Sequence, residues 1–181
     1  MLIEYYKNGG PEITVPIIWK KIVDLDLETH TKKQNLKHRK SLTVMQLLPD
    51  LNSGGVERGT LEMGRHLVRN GHKSIVVSGG GRLIEQLEKD GSYHLLKTIG
   101  SKSPLALFYI WPLRQEMKKK QVDILHLRSR MPAWVGYIAL KSLPKKYRPL
   151  LVTTFHGFYS VNGYSAIMAH GAGVIAVSKS I

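Results

Sequence analysis

From residue 41 onward, short apolar runs alternate with stretches of helical spacing. The apolar runs, at 42–48, 73–78, 93–98, 122–127, 150–155 and 173–177, have the length of buried strands. Between the first two, Val56, Thr60, Met63, Gly64, Leu67 and Val68 share one helical face. Glu57, Arg58, Glu62, Arg65 and Arg69 lie elsewhere on it, which predicts an amphipathic helix over 55–70. Gly71 ends that helix as a left-handed C-terminal residue. Further helices are expected at 83–89, closed by Asp90-Gly91, at 132–142 and at 164–170. The stretch 104–121 is helical in character, but Pro112 must kink or restart it.

Strands joined by crossover helices predict an α/β, Rossmann-like fold: a mostly parallel sheet with helices on both faces. Ligands of such sheets sit at the carboxyl ends of the strands. That rule selects the loops after Leu48, Ser78, Leu127, Phe155 and Val177. No internal repeat is visible.

Residues 1–40 follow neither rhythm. They form a polar leader or linker with a Gly9-Gly10-Pro11 breaker, a basic run over 32–40 and one short strand or helix over 17–27. Asp24-Leu25-Asp26 spells the Asp-x-Asp of metal-dependent transferases. It sits in a plain apolar/polar alternation, however, and no metal ligand is assigned. The domain proper is therefore 41–181.

Composition narrows the class. A chain of 181 residues with 43% hydrophobic and 22% charged residues can bury a core. It has no cysteine, so disulfides and thiolate metal sites are excluded, which fits a reducing cytoplasm. No secretory signal is visible in the first twenty residues, and the most apolar run, 104–113, is short of the ~20 residues a membrane span needs. The net charge is +14, and ten basic residues against two acids, Glu116 and Asp123, lie between Arg114 and Arg148. Such a patch attracts anionic lipid, a phosphorylated acceptor or nucleic acid, though a solvated surface explains it equally well.

Three segments carry chemistry. Pro49-Asp50-Leu51-Asn52-Ser53-Gly54-Gly55 runs into a helix start, where glycines admit close approach and free N–H groups favour negative charge. A plain strand-to-helix turn would look the same. The dinucleotide fingerprint G-x-G-x-x-G and the Walker pattern are both absent there. Arg128 and Arg130 follow the fourth strand, and guanidinium forks suit phosphate or carboxylate. His156 ends the fifth strand before Gly157, which leaves space beside a ring able to hydrogen-bond or polarise nearby groups near neutral pH. Trp134 reads as core packing before sugar stacking, and Lys118-Lys119-Lys120 as a solvated helix end favoured by the dipole.

Taken in order, these segments carry a resemblance. Gly54-Gly55-Val56-Glu57-Arg58, Leu67, Gly71-His72 and Ile75-Val76-Val77 are similar to the opening βαβ unit of family 4 glycosyltransferases, retaining enzymes of the two-domain GT-B architecture. Gly80-Gly81-Arg82-Leu83, Arg128-Ser129-Arg130-Met131-Pro132-Ala133-Trp134, Thr153-Thr154-Phe155-His156-Gly157 and Val174-Ile175-Ala176-Val177-Ser178 extend it over about 42–181, resembling a bacterial subgroup associated with lipopolysaccharide and other envelope glycans.

The resemblance implies that Gly54 and Gly55 lie against donor phosphate and acceptor, and that His156 faces the transferred sugar as the catalytic residue. Asn52, Arg128 and Arg130 form the expected acceptor-binding set. It also implies a nucleotide-sugar donor, no permanently bound cofactor and a glycan or lipid-linked acceptor. An anionic membrane surface and a donor-domain partner chain are further candidate partners, with a cytoplasmic location peripheral to the inner membrane. The second domain of such enzymes supplies the nucleotide pocket, so this chain is expected to be the acceptor-side half and inactive alone. His170-Gly171-Ala172-Gly173 departs from the charged stretch usual in relatives, which leaves the start of the sixth strand open.

Three rivals remain. A truncated or split binding module would share the fold. A nucleic-acid binder would fit the charge but lacks a recognition motif, and an NAD-dependent oxidoreductase is disfavoured by the first loop.

Overall fold

Among the described residues six strands pair in parallel throughout: β1 (Thr43–Leu47), β2 (Lys73–Ser78), β3 (Tyr93–Leu96), β4 (Ile124–Leu127), β5 (Leu150–Phe155) and β6 (Gly173–Ala176). Their order across the sheet is β3-β2-β1-β4-β5-β6. The computed structural model describes residues 41–97, 99–100, 104–157, 160 and 162–177. The leader 1–40, with its 17–27 segment, basic run and Asp24-Leu25-Asp26, lies outside the described residues, as do Ser178 and Ile181. The predicted Rossmann-like class holds, and the sixth strand forms despite the unusual turn before it.

The helices are α1 (Gly55–Arg69), α2 (Ile84–Lys89), α3 (Ile110–Lys119), α4 (Arg130–Lys141) and a single turn, α5 (Gly163–Ala166). α1 buries Thr60, Leu61, Met63, Gly64 and Leu67 on the stripe that its spacing predicted. Beyond Asn70, the chain closes a Schellman turn: Gly71 N–H donates to Val68 O at 3.0 Å and His72 N–H to Leu67 O at 2.9 Å, with Gly71 at φ +77°. Pro112 does not kink a continuous helix. The segment begins as a 3-10 turn, Pro104–Tyr109, and restarts as α3, which places Pro112 in a first turn where its missing N–H costs nothing.

Strand alternation sends side chains to two faces. Met45, Leu47, Leu125, Leu127 and Leu151 join the larger core beneath α3 and α4, while Val44, Ile124 and Val152 join Met63 and Leu67 of α1. Because the order reverses direction at β1, the carboxyl ends of β1 and β4 flank a topological switch point.

The loop after β1 is latched to the loop after β2. Leu51 is fully buried, its N–H donates to Gly80 O at 2.7 Å, and Leu83 N–H donates to Leu51 O at 2.9 Å. Gly81, at φ +139°, allows this, because a Cβ there would overlap the backbone carbonyl of Leu51. Gly81→Ala is expected to lower stability by about 1–3 kcal/mol through strain and collision, measured by urea denaturation. An unchanged midpoint would show that the two loops separate freely.

Candidate functional site

The face of the sheet beneath α1 carries polar side chains where its neighbours are apolar. Gln46 in β1, His126 in β4 and Thr154 in β5 are all buried there, and Arg128, one residue past β4, continues the same parity. Most buried polar groups are hydrogen-bonded. Gln46 Nε2 donates to Thr60 O of α1 at 3.2 Å, which turns its Oε1 to accept from Arg128 Nη1 at 3.1 Å. His126 Nε2 and Thr154 Oγ1 lie 2.6 Å apart.

Arg128 is only 5% exposed. Its N–H donates to Leu47 O at 3.0 Å, extending the β1–β4 ladder by one residue. The guanidinium lies under the second turn of α1, where a Cβ on Gly59 would come within 2.9 Å of Nη2. Arg128, expected in the acceptor-binding set, is thus a buried cation held by the sheet. Its field reaches β5: burial first, and Arg128 second, lower the His156 imidazole from 6.5 to about 4. Burial also drives His126 well below its usual value, with Arg128 and then His156 adding to the effect. His156 Nε2 is buried and has no hydrogen-bond partner among the described residues.

The other expected residues spread along the same sheet edge. Gly54 caps α1 at φ +139°, and its missing Cβ would meet Glu57 Oε2 at 2.5 Å, so a carboxylate already folds over this turn. Gly55 has open space where a Cβ would point. Asn52 is exposed, with its backbone used structurally: its N–H donates to Asp50 Oδ1 at 3.1 Å and its carbonyl accepts from Arg82 Nε at 2.7 Å.

Arg130 diverges from Arg128. It opens α4 and turns toward α5, where Nη1 donates to Ser165 Oγ at 3.2 Å and the guanidinium stacks 5.3 Å from the Tyr164 ring centroid. Trp134 packs against the larger core and donates from Nε1 to Tyr164 O at 3.0 Å. Gly54, Gly55, Arg128 and His156 therefore share the carboxyl end of the sheet, with Arg128 between the β1 and β5 contributions. No group of acidic or histidine side chains that could hold a metal ion occurs among the described residues.

Sequence reasoning missed Gln46, His126 and Thr154. The available signal was parity: each is a polar residue on the same face of a buried strand, in line with Val44, Ile124 or Val152 two positions earlier. Gln46→Leu removes the amide that accepts from Arg128 Nη1 and donates to Thr60 O, and is expected to cost about 1–3 kcal/mol in chemical denaturation. A neutral result would show that Gln46 does not hold the cation.

The family model for Glycosyltransferase Family 4 matches residues 53–181. A glycosyltransferase structure from Rickettsia africae ESF-5 is 38% identical, with TM-score 0.65, over 77% of this chain and 37% of that one. The chain thus spans little more than a third of that relative's length. A candidate NADPH:quinone reductase from Mesorhizobium loti is 18% identical over 91% of this chain and 41% of its own, with TM-score 0.47, a likeness that decides nothing here. No curated protein sequence gives a significant match. A family match over most of the described sheet, joined to the 38% identity, settles the membership: this chain belongs to glycosyltransferase family 4.

Proposed function

We propose that this chain is the acceptor-side domain of a nucleotide-sugar-dependent glycosyltransferase that builds a cell-envelope glycan, lipopolysaccharide among the candidates. The observation that carries this is the buried Arg128, seated by Gln46 of β1 and close enough to His156 beyond β5 to depress its pKa. With the family membership, it supports reading the carboxyl ends of β1, β4 and β5 as one wall of an acceptor cleft.

The chemistry follows from the charges. An imidazole held near 4 is neutral at pH 7, so His156 offers one donor and one acceptor to a sugar hydroxyl without adding charge. Arg128 behind it, and the start of α1 beside it, make the wall positive where a diphosphate leaving group develops charge. Glu57, folded over Gly54, must swing aside for a diphosphate but can accept from an acceptor hydroxyl as it stands. The nucleotide itself would be held by a second domain, so transfer requires closure that aligns the acceptor hydroxyl with the anomeric carbon.

Amide and histidine NMR of the 181-residue chain, titrated with neutral and phosphorylated mono- and oligosaccharides, tests this reading. Shifts are expected at 54–57, 128–131 and 156–157, and His156→Ala should weaken binding by about two- to tenfold, the worth of one hydrogen bond. Shifts confined to the amino end of the sheet would refute it.

A further inference from the structure

At the end of the sheet remote from Gly54, Arg128 and His156, three helices finish in the same turn. After α1, Gly71 N–H donates to Val68 O and His72 N–H to Leu67 O. After α2, Gly91 N–H donates to Glu88 O and Ser92 N–H to Leu87 O. After α3, Gln121 N–H donates to Lys118 O and Val122 N–H to Met117 O. The first residue of each pair is left-handed, at φ +77°, +88° and +50° in turn. Glycine holds that position twice, as backbone sterics favour. At the third the chain keeps a glutamine, which carries strain that glycine would avoid.

The three turns meet at a cavity of about 470 Å³, whose lining includes His72, Lys73, Tyr93, Lys119, Lys120 and Gln121. The topology brings them together. Lys73 opens β2 and Tyr93 opens β3, while α3, running antiparallel to the strands, ends at Lys119. No acid among the described residues lines the cavity. Two acids on adjoining turns are engaged elsewhere: Asp90 Oδ2 accepts from Arg65 Nη2 at 2.8 Å, and Asp123 Oδ2 from Thr43 N–H at 2.9 Å.

A helix C-terminus attracts lysine by itself, which accounts for Lys119 and Lys120 but not for Lys73 at a strand start. Three like charges around one recess repel each other, and a bound anion removes that repulsion. Tyr93 adds a flat ring, 51% exposed, with Lys120 Nζ 4.5 Å from its centroid. His72 Nδ1 accepts from Leu42 N–H at 3.3 Å, so in the neutral ring the proton sits on Nε2, a further donor. The volume falls within the range of small-molecule sites.

We propose that this cavity binds a phosphorylated ring compound, a nucleotide or a sugar phosphate, at a site separate from the sugar-transfer wall. Lys73, Lys119 and Lys120 hold the phosphate, Tyr93 stacks on the ring, and the Gln121 amide bonds a polar edge. The strain at Gln121 is kept because its side chain serves the ligand. The inference stands on this end of the sheet alone and uses no part of the sugar-transfer reading.

The test is calorimetric titration of the 181-residue chain with uridine diphosphate, glucose 6-phosphate and inorganic diphosphate, at about 0.15 M salt to screen loose charge pairing. One of the two ring phosphates should bind saturably, about tenfold tighter than inorganic diphosphate, and the tighter of them names the source. Amide NMR should place its shifts at 72–73, 93 and 119–121. Lys73→Met/Lys119→Met should weaken binding by about tenfold, and Tyr93→Ser should reduce it to the level of inorganic diphosphate. Gln121→Gly should hold or raise the melting temperature while affinity falls about two- to tenfold. All four positions are exposed, so the variants should keep the wild-type circular dichroism.

Absence of saturable binding by either ring phosphate would overturn the proposal. So would inorganic diphosphate binding as tightly as both, or shifts at 128–131 and 156–157 instead. A folded lysine or Gln121→Gly variant with wild-type affinity would overturn it as well. Binding here needs neither Arg128 nor His156, so it can succeed where the saccharide mapping fails, and the reverse.

Discussion

The structure is organised around a charge taken out of water. Burying a guanidinium is unfavourable unless its donors meet acceptors and its surroundings leave room. For Arg128, Gln46 supplies an acceptor, Thr60 O fixes which end of that amide faces the cation, and Gly59 leaves the space. β1, α1 and β4 are thereby joined in one polar arrangement beside the topological switch point.

The two sides of the sheet divide the labour. Beneath α3 and α4, an apolar core of leucines, methionines and valines supplies most of the burial. Beneath α1, the file Gln46, His126, Arg128 and Thr154 interrupts that pattern and carries the electrostatics of the site. In the sugar-transfer reading proposed above, a neutral imidazole beside a buried positive charge would suit hydroxyl recognition next to a departing phosphate.

Much of the fold was legible in the chain. Strands buried on both faces write themselves as apolar runs, and α1 announced both its stripe and its Gly71 terminus. Crossover connections implied parallel pairing, while the strand order came from the structure alone. The site was legible only in outline. Arg128 and Arg130 look equivalent as written, two cations around a serine, yet one continues strand parity into the interior while the other opens a helix and meets Ser165 and Tyr164. Burial is a property of the neighbours, and Gln46 lies 82 residues from the cation it holds. Nor could spacing reveal that the turn at Gly54 already holds the Glu57 carboxylate, since that depends on a rotamer.

The coupling between Arg128 and His156 is the claim on which the cleft wall stands, and the ring titration of His156 by NMR measures it directly. In the wild type the imidazole should titrate near 4, down from 6.5. Replacing Arg128 with Met removes the charge at similar volume. The midpoint should then rise yet stay below 6.5, because burial is the larger cause. A wild-type midpoint near 6.5 that ignores the substitution would place the two residues in separate environments, and the wall would not exist.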